Sequence, residues 1–215
     1  CTHTHYGPDA YRAQDDPLVQ AYRANLIHTL VGVIDAAAAD MQPARMRMGW
    51  GASDIGINRR EKRPDGTIVL GQNPTGPIDR AVGVVRIEGV DGAPIACVVN
   101  FQTHPVSQTG QVDHISADYP GKMREVVEHL TGATCLFLQG ASGNINSVRM
   151  EPRYEPARAL GVRLGCEVVR VWETIGDAGN GEVPGDLYLR ATSEVVELPR
   201  DERERADFIQ ALFEE

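Results

Sequence analysis

The hydrophobic positions of the chain follow a helical period in some segments and an extended period in others. Apolar side chains recur every third or fourth residue over residues 16–41 and again over residues 155–175, which predicts two amphipathic helices. Asp16 is a suitable N-cap for the first helix, and Pro17 is a suitable first helical residue. We expect this helix to pack on a sheet. A third helix is predicted to begin at Asp118 and to end near residue 130.

Short apolar or alternating runs between the helices predict strands. They cover residues 45–51, 57–60, 81–88, 94–101, 134–138 and 187–198. The turn between the third and fourth runs contains Asp91-Gly92, which favours an antiparallel hairpin. Residues 61–77 are polar and contain Pro and Gly, which predicts a long loop, and residues 201–205 are expected to form a solvated helix face.

This alternation of helices and strands predicts an α/β fold with mixed β-sheets flanked by helices in a layered sandwich. The sequence contains neither repeats nor a low-complexity linker that would divide it. Residues 1–215 are therefore interpreted as a single domain. We expect this domain to be incomplete, because the helix predicted from residue 201 has barely begun where the sequence stops.

Composition and charge narrow the class of protein. A hydrophobic fraction of 42% with 22 Gly and 13 Pro is typical of a globular domain. The net charge of −9 argues against a nucleic-acid-binding protein and leaves no basic patch for anionic membranes. No run approaches the roughly 20 apolar residues that cross a bilayer, so no transmembrane segment is predicted. We expect a soluble protein whose localisation stays open; it would be secreted or periplasmic if a signal peptide precedes the first residue.

Isolated cysteines and histidines are expected to have structural or surface roles. Cys97, Cys135 and Cys166 lie within apolar runs and are predicted to be buried thiols rather than disulfide partners or zinc ligands. His28 lies in the first predicted helix and His114 in a polar loop, so neither is expected to bind a metal.

Three other histidines occur in more suggestive contexts. His3 and His5 are two residues apart, so in an extended segment they project to the same face. His104 follows an apolar run and precedes a proline, so we expect it to be the last residue of a buried strand, where open α/β folds bind ligands. Imidazole is a common zinc ligand, but these motifs alone leave a zinc site and packed structural histidines equally open.

Seven short segments add a further pattern. They are His3-Thr4-His5-x-Gly7-Pro8, Ile57-Asn58-Arg59, Asn73-Pro74, and residues 82–87, 100–107, 116–121 and 139–144. In this order they resemble the catalytic domain of neutral ceramidases, the zinc-dependent amidases that cleave ceramide. The resemblance covers about residues 1–150 and is weak beyond them.

The resemblance implies roles for particular residues. His3 and His104 would be two of the zinc ligands, and His5 and Arg59 would be catalytic residues that face the substrate amide. The guanidinium of Arg59 offers a fixed fork of donors, which suits a carbonyl oxygen or an oxyanion. Catalytic zinc takes three protein ligands and an open position. The family completes its site with a Glu and a Tyr, which we expect beyond residue 215.

The small-residue loop at residues 139–146 departs from the family pattern. The serine of that pattern falls on Asn146, so we do not expect a serine nucleophile. Ser142 is not part of a Gly-x-Ser-x-Gly turn, and a water activated by Zn²⁺ needs no serine. Tyr6, Ser142, Asn144 and Asn146 are expected to line the substrate pocket.

Asp118 is open to three interpretations at this stage. It caps the predicted third helix, or it orients a ligand histidine, or it does both, and we favour capping alone.

These observations support the hypothesis of a zinc-dependent amidohydrolase that cleaves the N-acyl bond of a small-molecule or lipid-like substrate. Two alternatives remain: a zinc hydrolase of another ester or amide metabolite, and a ceramidase-like binding domain without catalysis. The sequence leaves open the substrate, its acyl length and the oligomeric state.

Overall fold

The computed structural model describes residues 2–8, 15–109, 114–176 and 192–197. The chain divides into two compact units, Cys1–Gly185 and Asp186–Glu215. Of the second unit only residues 192–197 are described, and they form no strand, so the strand predicted at residues 187–198 is wrong for this part. Val195 and Val196 are exposed there, and alternation without a partner strand does not make a sheet. The helix predicted from residue 201 lies outside the described residues.

Three helices and seven strands make up the described part of the first unit. The helices are α1 Pro17–Ala39, α2 Asp118–Thr131 and α3 Glu155–Thr174. The strands are β1 Ala44–Ala52, β2 Gly56–Lys62, β3 Ile68–Asn73, β4 Ala81–Gly89, β5 Pro94–Phe101, β6 Thr134–Gln139 and β7 Ile145–Ser147. The mixed α/β class that the sequence predicts is confirmed.

The strands form two open sheets, with order β1-β4-β5-β6 in the larger and β3-β2-β7 in the smaller. The predicted hairpin is confirmed, since β4 and β5 pair antiparallel. Strands β5 and β6 pair parallel and are joined by α2. The segments that follow β5 and β6 therefore leave the larger sheet at the same edge, where open α/β sheets place ligands.

One face of the larger sheet packs against α2 and α3. The buried residues of this core include Val84, Val99, Phe137, Tyr119, Met123, Leu160, Leu164 and Trp172. The two helices approach closely at Gly161, where a Cβ atom would lie 2.7 Å from the backbone oxygen of Tyr119. A residue without a side chain is needed at this crossing.

The opposite face of the larger sheet is uncovered by the described residues. Met48, Val85, Val98 and Leu136 lie in register across the four strands. Met48 is 47% exposed and Leu136 is 50% exposed, and Trp50 on the same face is 67% exposed. This apolar face is consistent with the predicted incomplete layering.

Helix α1 forms where the sequence predicts it but does not pack as expected. The carboxylate of Asp16 accepts a hydrogen bond from the backbone N–H of Leu18 at 2.8 Å, and Pro17 opens the first turn. The expectation that α1 packs on a sheet is wrong for the described part of the chain, because no residue of α1 is buried. Its apolar residues are distributed around the helix rather than along one face, so the prediction that this helix is amphipathic is wrong too.

Three smaller expectations also need correction. The long loop predicted at residues 61–77 contains β3, which pairs antiparallel with β2 at the edge of the smaller sheet. The side chains of β3 are exposed or half-buried, so its sequence has no apolar alternation. Cys166 is exposed on α3, whereas Cys97 and Cys135 are buried as predicted. His104 lies three residues after β5 rather than at its last position.

No helix among the described residues is both long and apolar enough to cross a bilayer.

Candidate metal centre

The structure brings His3, His5 and His104 together. One ring nitrogen from each of them lies within 4.8 Å of the others. The Nε2 atoms of His3 and His104 are 3.0 Å apart, and the ring of His5 lies 5.2 Å from that of His3 between centroids. His104 is buried, whereas His3 and His5 are exposed. The cluster is thus half-open to solvent.

Both the backbone and the imidazole ring of His104 are held by hydrogen bonds. Its backbone N–H donates to the carbonyl of Ile145 at 3.1 Å, and its carbonyl accepts from Ser147 Oγ at 3.1 Å. Its Nδ1 atom lies 2.9 Å from the carbonyl oxygen of Ser142. A carbonyl oxygen only accepts, so Nδ1 carries the proton and a neutral His104 presents the lone pair of Nε2.

The segment with His3 and His5 is not the predicted extended strand. His3 has a φ of 56°, in the left-handed region, so the backbone turns at this residue. Thr4 Oγ1 donates to the carbonyl of Ser116 at 2.8 Å, and the N–H of Ser116 donates to the carbonyl of Tyr6 at 2.9 Å. These two bonds attach the segment beside His104. Both imidazoles therefore reach the cluster from a turn and not from the same face of an extended strand.

The donor set fits a zinc ion. Two nitrogens bound tetrahedrally to zinc lie roughly 3.3 Å apart, and the Nε2 atoms of His3 and His104 are close to this separation at 3.0 Å. Desolvation is the main cause that lowers the pKa of His104 and of His5, and the charge of Arg59 lowers both further. Imidazoles kept neutral in this way are the form that binds metals.

Arg59 lies on β2 and contacts the loop at residues 139–146. Its backbone N–H donates to the carbonyl of Asn144 at 2.9 Å, and its Nε donates to the carbonyl of Gly143 at 3.1 Å. Its Nη1 lies 3.4 Å from Oδ1 of Asn146. Arg59 is therefore held in a fixed orientation, with its charge close enough to lower the pKa values of His5 and His104.

The other predicted pocket residues have distinct environments. Ser142 contributes its carbonyl to His104, whereas Asn144 donates its side-chain amide to the carbonyl of Pro77 at 2.8 Å. Asn146 presents Oδ1 to Arg59, which directs its Nδ2 donor elsewhere. Burial raises the pKa of Tyr6 to about 12, so its phenol is protonated at neutral pH.

The contacts of Asp118 differ from the helix cap that we favoured from the sequence. It is the first residue of α2, and the N-cap is Ala117, so the prediction that Asp118 caps the helix is wrong. Its buried carboxylate accepts from the N–H of Ser107 at 3.0 Å and from Ser107 Oγ at 2.5 Å. Burial raises the pKa of Asp118, and the hydrogen bonds from Ser107 oppose that rise. An aspartate that caps a helix and an aspartate that binds a distant serine have the same local sequence. The sequence pattern therefore could not distinguish these two roles.

Tyr119 was also missed as a residue near the cluster. Its hydroxyl donates to the carbonyl of Thr103, the residue before His104. Its ring lies in the hydrophobic core, and only the fold shows what its hydroxyl contacts.

Comparisons with known proteins bear on the fold. A scan against protein-family models gave no match, and a search of the curated proteins gave none. A solved structure described as ceramidase complexed with C2 is similar, with 23% identity, a TM-score of 0.56, and coverage of 71% of this chain and 25% of that chain. Neutral ceramidase from Pseudomonas aeruginosa is similar, with 21% identity, a TM-score of 0.55, and coverage of 71% and 26%.

The first conclusion from these comparisons concerns the class of fold. Residues of this chain adopt an α/β arrangement that also occurs in solved ceramidase structures, as the sequence resemblance predicted. The particular similarity is to neutral ceramidase, and the chain spans about a quarter of the length of the solved structures that it matches.

Proposed function

We propose that this chain is part of a zinc-dependent amidohydrolase that cleaves the N-acyl bond of a lipid-like substrate, as a ceramidase does. The observation that carries the proposal is the convergence of His3 and His104, with Nε2 atoms 3.0 Å apart, beside His5 and Arg59. The similarity of fold to ceramidase structures supports the same class of reaction.

His3 and His104 would hold the zinc ion, with His5 beside them. Zinc in such a site lowers the pKa of water and polarises a carbonyl group. The carbonyl of Ser142 keeps the proton of His104 on Nδ1, so that Nε2 remains a ligand atom. This contact fixes both the tautomer and the ring orientation.

Arg59 and His5 would act on the amide oxygen. In hydrolysis the oxygen of water attacks the carbonyl carbon, the C–N bond breaks, and the leaving nitrogen gains a proton. Negative charge develops on the former carbonyl oxygen, and the fixed guanidinium of Arg59 is suited to stabilise it. Asn146 Nδ2 and the protonated phenol of Tyr6 would position the substrate through hydrogen bonds.

The polar groups of the loop favour a second candidate substrate. Arg59 and Asn146 bring a guanidinium and an amide together near His5 and His104. Such a surface suits a small acylated metabolite, with an ester or a different amide, as well as ceramide. A panel of N-acyl amides and esters that share one acyl chain separates these candidates. Zinc binding without hydrolysis of any member would instead indicate a binding domain.

The zinc content of the full-length parent protein tests the proposal first. We expect about one zinc per chain in the wild type by elemental analysis, and strong loss in His3→Ala and His104→Ala. His28→Ala is the matched control, because His28 is an exposed residue of α1. Each variant is first checked for folding by circular dichroism. Zinc that is absent from the wild type, or unaffected by both substitutions, contradicts the proposal.

A further inference from the structure

Asp118 connects the two separate segments that supply the histidine cluster. It belongs to neither segment, and it has no direct hydrogen bond to His3, His5 or His104 among the contacts of the described residues. Each segment nevertheless has a hydrogen bond to Asp118 or to Ser116, which lies two residues before Asp118. The contacts to the segment with His104 and those to the segment with His3 and His5 involve different residues.

The first side holds His104. The two carboxylate oxygens of Asp118 accept from the N–H and the Oγ of Ser107, three residues after His104. The hydroxyl of the next residue, Tyr119, donates to the carbonyl of Thr103, just before His104. Two consecutive residues of α2 therefore hold the backbone on both sides of His104.

The second side holds His3 and His5. Ser116 Oγ accepts from the N–H of Asp118 at 3.0 Å, which joins the two residues. The carbonyl of Ser116 accepts from Thr4 Oγ1, and Thr4 lies between His3 and His5. The N–H of Ser116 donates to the carbonyl of Tyr6, so both ends of the short segment at residues 4–6 depend on Ser116.

A carboxylate suits the position of Asp118 better than any other group. It receives donors from Ser107 N, Ser107 Oγ and Tyr119 N, and the backbone N–H of Gln108 is a further donor. An ionised carboxylate is acceptor-only. Asn would place an amide N–H₂ against one of these donors. Asp118 also has a φ of 53°, a conformation that residues other than Gly rarely adopt. With 1% of its surface exposed, it is held by protein contacts rather than by solvent.

We propose that Asp118 is a positioning residue that sets the relative placement of His104 and the His3–His5 pair. It acts on His104 through Ser107 and on His3 and His5 through Ser116. The consequence for metal affinity rests on the proposed function, whereas the placement of the imidazoles does not. Groups that orient metal ligands typically change metal affinity by about 10–100-fold when they are removed.

The test compares Asp118→Asn, Ser107→Ala and their double variant with the wild type in the full-length parent protein. Competition with a chromophoric chelator measures zinc affinity, and we expect it to fall about 10–100-fold in each single variant. The double variant should be little weaker than either single one, because both substitutions break the same contact. Asp91→Asn is the matched control, since Asp91 accepts a hydrogen bond from Ala93 N in the β4–β5 turn; it should bind zinc as the wild type does.

A second readout uses the metal-free protein. Long-range ¹H–¹⁵N spectra of the imidazoles should show the Nδ1–H tautomer of His104 in the wild type and an averaged pair of tautomers in Asp118→Asn. A purely structural role would lower the thermal midpoint without changing this tautomer. Ser107→Thr keeps the hydroxyl and should retain both the affinity and the spectrum, whereas Ser107→Ala loses the hydroxyl and carries the test if Asp118→Asn fails to fold.

The outcomes distinguish this proposal from the proposed function. Wild-type zinc affinity and an unchanged His104 spectrum in folded Asp118→Asn and Ser107→Ala overturn the role of Asp118 and leave the zinc site standing. A wild type that binds no zinc contradicts the proposed function, and the spectra of the metal-free variants then decide on Asp118 alone.

Discussion

At the scale of single residues, the ring of His104 shows how a backbone carbonyl prepares a ligand atom. The Ser142 carbonyl lies 2.9 Å from Nδ1, so the proton stays on that nitrogen and Nε2 faces His3. The carbonyl comes from the loop that also accepts from Arg59 through Gly143. The same short loop therefore orients a candidate ligand and a candidate oxyanion donor.

Replacement of Arg59 by Lys tests whether the fork of donors matters for catalysis. Lys keeps the charge but cannot reproduce the bond from Nε to Gly143 together with a second donor towards the substrate. We expect kcat for N-acyl amide hydrolysis to fall about 100-fold, as for the loss of an oxyanion donor, with zinc content unchanged. Arg60→Lys is the matched control, because Arg60 is exposed and its side chain makes a longer contact, of 3.4 Å, to Gly143. Equal losses in both variants would contradict this role.

The sequence predicted the candidate site residues that lie in an ordered series of motifs, and it missed contacts between residues that are distant along the chain. His3, His104 and Arg59 came from such motifs, and the fold brings them together. Asp118 was misassigned because its partner Ser107 is separated from it by a loop, and local spacing cannot show that contact. The turn at His3 was missed because a positive φ at a histidine has no sequence signature.

At the scale of elements, the packing of α2 against α3 supports the site, because α2 begins with Asp118 and Tyr119. The helices cross at Gly161, where a Cβ atom would lie 2.6 Å from Lys122 Cβ and 3.0 Å from the backbone nitrogen of Met123. A shift of α2 to relieve such a contact would also move the residues that hold His104.

Gly161→Ala should therefore destabilise the protein by about 1–3 kcal/mol, the usual range for overpacking. Gly32→Ala is the matched control, since Gly32 lies in α1 and a Cβ atom added there would meet nothing within 4 Å. The same substitution there should be neutral or stabilise by about 0.5–1 kcal/mol, because Ala favours a helix over Gly. Urea unfolding measures both. Equal changes in the two variants would show that helix propensity, not packing, controls Gly161.

Elements with a regular apolar period were predictable, and elements without one were not. Helix α3 and strands β4, β5 and β6 bury alternate or periodic residues, so their sequences carry the signal. Strand β3 buries none of its residues, so its sequence carries little of it. The exposure of α1 was unpredictable for a different reason: its sequence is apolar enough for a buried helix, but that does not show whether another element covers it.

At the scale of the whole molecule, the larger sheet has one covered face and one apolar face that the described residues leave open. The two tryptophans of the chain report on these faces separately. Trp172 is 3% exposed in the core and stacks against the guanidinium of Arg86, whereas Trp50 is 67% exposed on the open face.

Single-tryptophan variants of the 215-residue chain test this difference. Trp172→Phe leaves Trp50, whose fluorescence should be at longer wavelength and strongly quenched by acrylamide. Trp50→Phe leaves Trp172, whose emission should be at shorter wavelength and protected. A protected Trp50 in dilute solution would contradict the open face. Protection that grows with protein concentration would show that a second copy covers it.

The separation of His3 and His104 along the chain has a consequence for the order of folding. The two residues are 101 positions apart, and the contacts that join their segments run through Ser116 and Asp118. Closing so long a loop costs entropy that no local contact repays. The hairpin of β4 and β5 joins residues that are close in sequence, whereas the imidazoles meet through contacts with the start of α2. We therefore expect the cluster to form late in folding, so that its formation would report on the assembly of β5 with α2.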